Sequence, residues 1–423
     1  MLTLVRIITN EQGQSPERSE FFAMRNKNFK RLSLLLAVML FSSIFRTTTY
    51  AGQGTFTKVT YGSRYYKIYV PSTYDGETEV PLMVMLHGGS QDPDQFAVGT
   101  RMNEIAETEN FIVLYPDQPA TANQNKFWNW FEPAHQHRGS GEPAIIAGMI
   151  GEIKNTYNIN DNMVYAAGLS AGGAMSVILG VTYPDIIKGV GIVSGLEYKA
   201  ATNMTGAFMA MSMGGPDPNT QGTLAYNEMS GYATKLMPTI VFHGNSDYVV
   251  QKINGNQILS QWAQVNDLLD DGRDNNSIND TPNTTESKTV TGGRSYTVYS
   301  YEDGKGNLLM QKYLVDGMGH AWSGGSSLGS YTDSTGPDAS RIIWGFLSGN
   351  SIDDGETENP GGPGEPENPE VEVAYGTATE HYVAGRLDTS GYLQMGAKYG
   401  YIARFNLYRL VGTNVWTDVN PIG

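Results

Sequence analysis

The sequence predicts an α/β fold: a mostly parallel central sheet with helices on both faces, followed by a small C-terminal β module. Three observations predict it. From Thr55 to about Ser348, short apolar runs alternate with stretches of helical period. Several runs are continuous rather than alternating. Val80 to Leu86 reads VPLMVML, as a parallel strand buried on both faces requires. One run, Met163 to Gly168, leads straight into Gly168-Leu169-Ser170-Ala171-Gly172 and out again into a helix-like stretch.

The elements follow in order. Arg64 to Val70 alternates polar and apolar residues, the pattern of a half-buried strand. Val80 to Leu86 and Phe111 to Pro116 are buried strands. Pro143 to about Tyr157 places Ile145, Ile146, Met149, Ile150 and Ile153 at helical spacing. Met163 to Gly168 is a strand and Ala171 to about Tyr183 a helix. Ile187 to Ser194 and Pro238 to His243 are further strands. Gly255 to about Leu269 reads as a helix, Tyr296 to Tyr301 and Leu308 to Leu314 as late strands, and Ala339 to Leu347 as a closing helix.

Beyond this unit the composition changes twice. Residues 349–372 are rich in Gly, Pro and Glu without an apolar period, which reads as an extended linker. Residues 373–423 return to globular composition with many aromatics, among them Tyr375, Tyr382, Tyr392, Tyr399, Phe405 and Trp416, and read as a small β module. At the other end, a basic stretch from Met24 to Arg31 precedes an apolar run from Leu32 to Phe45 and the small-x-small end Thr49-Tyr50-Ala51. That is the layout of a secretory signal peptide within residues 1–51. The catalytic unit then spans residues 52–348, in a secreted, extracellular chain that leaves the membrane after cleavage and acts as a monomer.

Bulk properties exclude some functions. With 423 residues, 40% apolar and 17% charged, the chain can bury a large core. A net charge of -15 opposes binding of nucleic acid, which needs a basic face. Cysteine is absent, so no disulfide, thiolate metal site or cysteine nucleophile is available. The acidic stretch Asp267 to Asp280 lacks the EF-hand spacing and reads as a solvated surface insertion rather than a calcium loop. No metal site and no cofactor are expected.

Gly168 to Gly172 is a G-x-S-x-G motif in the strand–turn–helix context that gives it meaning, making Ser170 the candidate nucleophile of an α/β-hydrolase. A serine hydroxyl needs a base oriented by a carboxylate, in the chain order Ser, Asp/Glu, His. Of the histidines after Ser170, His381 lies beyond the linker, and His243 ends a strand and reads as a structural turn residue. His320, in the glycine-rich loop Val315 to Trp322, is the candidate base. Asp247, four residues past the strand ending at His243, is the candidate acid, with Asp316 as its rival. The oxyanion needs two donors: the amide of Ala171, and one from Leu86-His87-Gly88-Gly89-Ser90-Gln91, where Gly89 is the candidate. His87 reads as a structural ring in that loop. Trp128 and Trp130 of the run Trp128-Asn129-Trp130-Phe131, together with Trp322 and Ser90, are candidate substrate contacts.

Taken together, LHGGSQ, WNWF, RGSGEPA, GLSAGGAM, FHGNSD, GMGHAWSGG and GPDAS resemble, in this order, the extracellular polyhydroxybutyrate depolymerase-like esterases, a family that also includes feruloyl and acetylxylan esterases. The resemblance spans nearly all of residues 55–348. It implies Ser170 as nucleophile, Asp247 as acid and His320 as base, with Gly89 near the early oxyanion donor. Where many members carry cysteines, in the oxyanion loop and before WNWF, this chain has Gly89 and Phe127, so the disulfide common in the family is missing. HYVAGRLDTSGYLQMGA and the following RFNLYRLVGTNVW resemble a small C-terminal module of secreted depolymerases and chitinases, which implies a substrate-attachment role. The expected substrate is a polymeric or oligomeric polyester of short hydroxy acids. The alternatives are a feruloyl or acetylxylan esterase, a peptidase on the same fold, and a binding protein that retains the fold without catalysis.

Overall fold

The computed structural model describes residues 54–233, 235–349, 371–377, 381, 387 and 404–410. The expected signal peptide and most of the linker and tail lie outside these residues.

Ten strands form one sheet in the order β1-β2-β4-β3-β5-β6-β7-β10-β9-β8. These are β1 (Thr55–Tyr61), β2 (Arg64–Val70), β3 (Val80–Leu86), β4 (Ile112–Pro116), β5 (Ile159–Leu169), β6 (Val190–Val193), β7 (Thr239–Gly244), β8 (Thr284–Thr289), β9 (Ser295–Glu302) and β10 (Leu308–Val315). The six central strands β4, β3, β5, β6, β7 and β10 are parallel. Both edges are antiparallel: β1 and β2 on one side, β9 and β8 on the other. The late strand at Tyr296 to Tyr301 is therefore a hairpin partner and not a further parallel strand. The turn joining it to β10 is too short for a crossover. Asp303 Oδ1 organises that turn by accepting from the amides of Lys305 and Asn307.

The pleat divides the core. In β3, Leu82, Val84 and Leu86 enter one apolar cluster, while Met83 and Met85 enter another. Alternate residues of a strand face opposite sides, so a continuous apolar run is what a sheet covered on both faces needs. The covering helices are α1 (Pro93–Thr100), α2 (Met102–Glu109), α3 (Gly141–Thr156), α4 (Ala171–Thr182), α5 (Met204–Met213), α6 (Pro218–Met229), α7 (Ile253–Asp271) and α8 (Ala339–Ser348). Four of them begin on side-chain caps: Asp92, Asn203, Asp217 and Asp338 each accept from an amide in the first turn.

The strand order places the functional loops. The chain goes from β3 to β4 on one side and then returns to β5 on the other side of β3. That reversal is a topological switch point, and it opens a crevice beyond the carboxyl ends of β3 and β5. Leu86 pairs with Gly168 across these strands, so the LHGGSQ loop and Ser170 leave the sheet side by side. Further along the same edge, Gly244 pairs with Val315, which puts the loops carrying Asp247 and His320 next to each other. In the tail, β11 (Val371–Thr377) and β12 (Arg404–Leu410) pair antiparallel, the first beginning inside the stretch read as linker. No helix among the described residues is long and apolar enough to cross a membrane.

Candidate active site

Ser170 sits between β5 and α4 with φ +57° and ψ -119°, a backbone region that L-residues avoid. The two motif glycines make this turn possible. A Cβ on Gly172 would lie 2.0 Å from the Leu86 carbonyl oxygen, and one on Gly168 would lie 2.4 Å from the Gly172 backbone. Helix α4 therefore packs backbone to backbone against the sheet edge and lifts Ser170 into a part-exposed position. The Ser170 amide donates to Val193 O at 2.9 Å, tying the turn to β6. The amide of Ala171 opens α4, where the first N–H groups have no acceptor within the helix.

Asp247 and His320 meet across the β7 and β10 loops. His320 Nδ1 donates to Asp247 Oδ2 at 2.8 Å. Because a carboxylate only accepts, this bond fixes the tautomer and leaves Nε2 as the basic nitrogen. Asp247 Oδ1 accepts from the amides of Val249 and Val250, both at 2.9 Å. Burial works against the charged carboxylate, but His320 and the Val250 amide outweigh it and hold its pKa below the ordinary range. The rival Asp316 is turned away: its Oδ1 accepts from Asn245 Nδ2 at 2.7 Å.

His243 is fully buried, and its Nε2 donates to Val250 O at 2.8 Å. Burial lowers its pKa, so it stays neutral. It braces the turn from which Val249 and Val250 hold Asp247. His87 is also buried, and burial pushes its pKa down to about 4. Its Nδ1 donates to Gly88 O at 2.7 Å and its Nε2 accepts from the Gln118 amide at 3.1 Å.

In the LHGGSQ loop the amides flanking Gly89 are engaged. Gly88 N donates to Gln91 Oε1 at 2.9 Å and Ser90 N to Asn125 O at 2.8 Å. Among the described residues nothing accepts from the Gly89 amide between them. A Cβ on Gly89 would lie 1.8 Å from the Phe127 ring. Gly89 and Phe127 are thus in contact, with an aromatic ring laid against a glycine. Ser90 is exposed at the mouth of the site, its hydroxyl 2.6 Å from Gly89 O and 3.4 Å from the Tyr331 hydroxyl.

The three tryptophans require a correction. Trp128, Trp130 and Trp322 are all buried and offer no open face to a substrate. Trp128 Nε1 donates to His87 O at 3.1 Å and props the LHGGSQ loop from below. Trp130 packs edge-on against Phe131. Trp322 packs edge-on against Phe96, and its Nε1 donates to Ser340 Oγ at 3.0 Å, anchoring the His320 loop to α1 and α8. Large rings near a glycine-rich loop went to supporting it, since that is where most apolar area could be buried.

The aromatic at the mouth is Tyr331, which no sequence motif marks. It is half-exposed, stands edge-on to His320 with ring centroids 6.4 Å apart, and its carbonyl accepts from the Trp322 amide at 2.8 Å. Gln91 Nε2 donates to Ser330 O at 2.9 Å, so this segment bridges the LHGGSQ loop and the His320 loop. Glu142 lies in the RGSGEPA motif, which gave it no role. This buried carboxylate accepts from Asn129 N and Nδ2, both at 2.7 Å, and from Gln118 Nε2 at 2.5 Å, and fastens the WNWF segment beneath the site. In the acidic stretch, Asp267 turns inward and accepts from the amides of Asn275, Asn276 and Ile278 and from Ser277 Oγ. It organises the insertion as an internal cap.

A sheet with this switch point, and a serine on a strained strand-to-helix turn at its carboxyl edge, define the α/β-hydrolase fold. The family described as "Esterase PHB depolymerase" matches residues 64–282, a span that holds Ser170 and Asp247 and ends before His320. The chain is 30% identical over 358 residues to poly(3-hydroxyalkanoate) depolymerase C of Paucimonas lemoignei, covering 80% of this chain and 83% of that protein. It is 26% identical over 249 residues to feruloyl esterase B of Thermothelomyces thermophilus, covering 56% of this chain and 80% of that protein. Among solved structures, the acetyl xylan esterase from Aspergillus awamori aligns with a TM-score of 0.52 and 22% identity, covering 63% of this chain and 94% of that one, which shows the shared fold. The chain belongs to the PHB depolymerase esterase family and is a carboxylic ester hydrolase.

Proposed function

We propose that the chain is a secreted serine esterase that hydrolyses short-chain polyhydroxyalkanoate polyester through an acyl-Ser170 intermediate. The observation that carries the mechanism is the hydrogen bond from His320 Nδ1 to Asp247 Oδ2 at 2.8 Å, on the sheet edge that also presents Ser170. Ser170 Oγ attacks the ester carbonyl while His320 Nε2 takes its proton. The oxyanion is held by the amides of Ala171 and Gly89. The alcohol end of the polymer leaves with the proton from His320. Water, deprotonated by His320, then attacks the acyl-enzyme, and the released hydroxy acid restores Ser170. No step calls for a cofactor.

The polyester assignment is supported by similarity to the depolymerase over most of both chains, whereas the feruloyl esterase match covers little more than half of this chain. In this reading residues 1–51 direct secretion, residues 349–372 tether, and residues 373–423 attach the enzyme to polymer. A tethered attachment module raises the local concentration of the catalytic unit at a surface. The test is release of hydroxy acid from polyhydroxybutyrate granules against release of ferulate from feruloylated arabinoxylan. Activity on arabinoxylan alone would overturn the substrate assignment. Unchanged ester hydrolysis by a Ser170→Ala variant would overturn the mechanism, and no ester hydrolysis by the unmodified chain would favour a fold kept for binding.

A further inference from the structure

Helix α5 is built inside out. An amphipathic helix buries its large apolar residues and shows polar ones to water. In α5 the residues turned inward are Ala207 and Ala210, whereas Phe208, Met209 and Met213 are 63, 54 and 64% exposed and Met204 is close behind. At 3.6 residues per turn, Met204, Thr205, Phe208, Met209, Ser212 and Met213 occupy the outward half. None of the ten residues of the helix is charged, on a chain with a net charge of -15. The helix is nevertheless well made: Asn203 caps its first turn by accepting from the Gly206 amide at 2.8 Å.

The helix is also fastened to the catalytic edge. The Gln251 amide donates to Met211 O at 2.8 Å, and Asn254 Nδ2 donates to Ala210 O at 3.0 Å. Gln251 closes the turn that begins at Asp247; that turn adds exposed Tyr248 and Val249, and the start of α7 adds Ile253. An apolar face, uncharged along α5 and flanked by exposed Lys252, therefore runs from the turn that holds Asp247 across the outer side of α5. Contiguous exposed apolar surface of this kind marks a contact site.

We propose that this face, α5 together with Tyr248, Val249 and Ile253, docks on the solid surface of the polyester whose chains the site cleaves; the proposal rests on the polyester reading above. Three features select that occupant. Methionine is flexible and polarizable, which suits a surface without fixed shape. Helix α5 presents no charge, and a polyester surface presents methyl, methylene and carbonyl groups but no donors. Polysaccharide would offer hydroxyls that need polar partners. The face adjoins the turn of the candidate acid, so docking brings the catalytic opening to the polymer.

The test uses the full chain with Phe208→Ser, Met209→Gln and Met213→Gln combined. We expect about tenfold slower hydrolysis of polyhydroxybutyrate granules, and in a Ser170→Ala background about tenfold weaker adsorption to them. The kcat/KM on soluble p-nitrophenyl butyrate should stay within about twofold, which also reports correct folding. If the unmodified enzyme leaves granules intact while cleaving feruloyl or acetyl esters, the polyester reading itself has failed. If the unmodified enzyme erodes granules and the triple variant matches it, the docking proposal alone has failed. A dimer in sedimentation that the triple variant converts to monomer would make the face a subunit interface and overturn the proposal. A lower Tm with unchanged granule hydrolysis would mean that the chain's own C-terminal residues cover the face, and would also overturn it.

Discussion

At φ +57° and ψ -119°, Ser170 pays for its position with backbone strain of about 1–3 kcal/mol. Glycine takes this conformation without penalty. Ser170→Gly is therefore expected to abolish ester hydrolysis while raising the thermal midpoint, measured by calorimetry; a lowered midpoint would refute the strain. Gly172→Ala should do the reverse harm, because the new methyl meets the Leu86 carbonyl at 2.0 Å and drives α4 off the sheet. Asp247→Asn keeps the packing but accepts nothing less than a different tautomer from His320. By analogy with other triads, kcat should fall by about 10³–10⁴-fold, read on a soluble ester, and a drop below tenfold would exclude Asp247 as the orienting acid. The motif serine, its glycines and the order Ser170, Asp247, His320 were legible in the sequence, because each sits at the end of a strongly patterned strand. Tyr331 was not. It lies in an irregular loop and reaches His320 only because its carbonyl is held by the Trp322 amide.

Among the elements, the loop after β6 carries an unusual group. Both oxygens of Glu197 are buried without a hydrogen-bond partner among the described residues. Burial, with the charge of Asp217 adding to it, pushes the carboxyl up to about 8. The folded chain thus keeps a proton that the unfolded chain releases at an ordinary carboxyl pKa. Stability is full below about pH 4.5 and declines as pH rises towards about 8. Glu197→Gln removes that decline. Its thermal midpoint should exceed the parent's at pH 9 and match it at pH 4, and equal midpoints at both pH values would show that the carboxyl is solvated. Element prediction succeeded where periodicity was strong, as in α3 and β3. It does not reach α1, α5 and α6, whose signals are Asp and Asn caps rather than apolar period, nor α2, which starts at left-handed Arg101 without a side-chain cap. In α5 the period is inverted, with alanines inside and methionines outside, so no pattern rule finds it. The tryptophans were misplaced for a related reason. Composition marks an aromatic segment as apolar but does not say whether its rings face the substrate or the scaffold.

For the whole molecule, the proposed division of labour makes a further prediction. Deleting residues 349–423 should slow hydrolysis of granules by about 10²-fold or more and leave a soluble ester unaffected. Equal loss on both would show that the tail stabilises the catalytic unit instead of attaching it to polymer. The sequence by itself determined the fold class, the family and the chemical identity of the candidate nucleophile, acid and base. Buried parallel strands and a strained serine turn leave local signatures that survive without coordinates. Only the tertiary structure decided which carboxylate meets His320. Asp247 and Asp316 both follow strands near it, and Asp247 is the one that hydrogen-bonds the ring, because β7 lies beside β10 and two amides hold its carboxylate. It alone turned the three indoles inward, set Phe127 on Gly89 and exposed the methionines of α5. Those outcomes depend on which surfaces remain after the sheet is covered, and burial is a property of the assembled whole rather than of any segment.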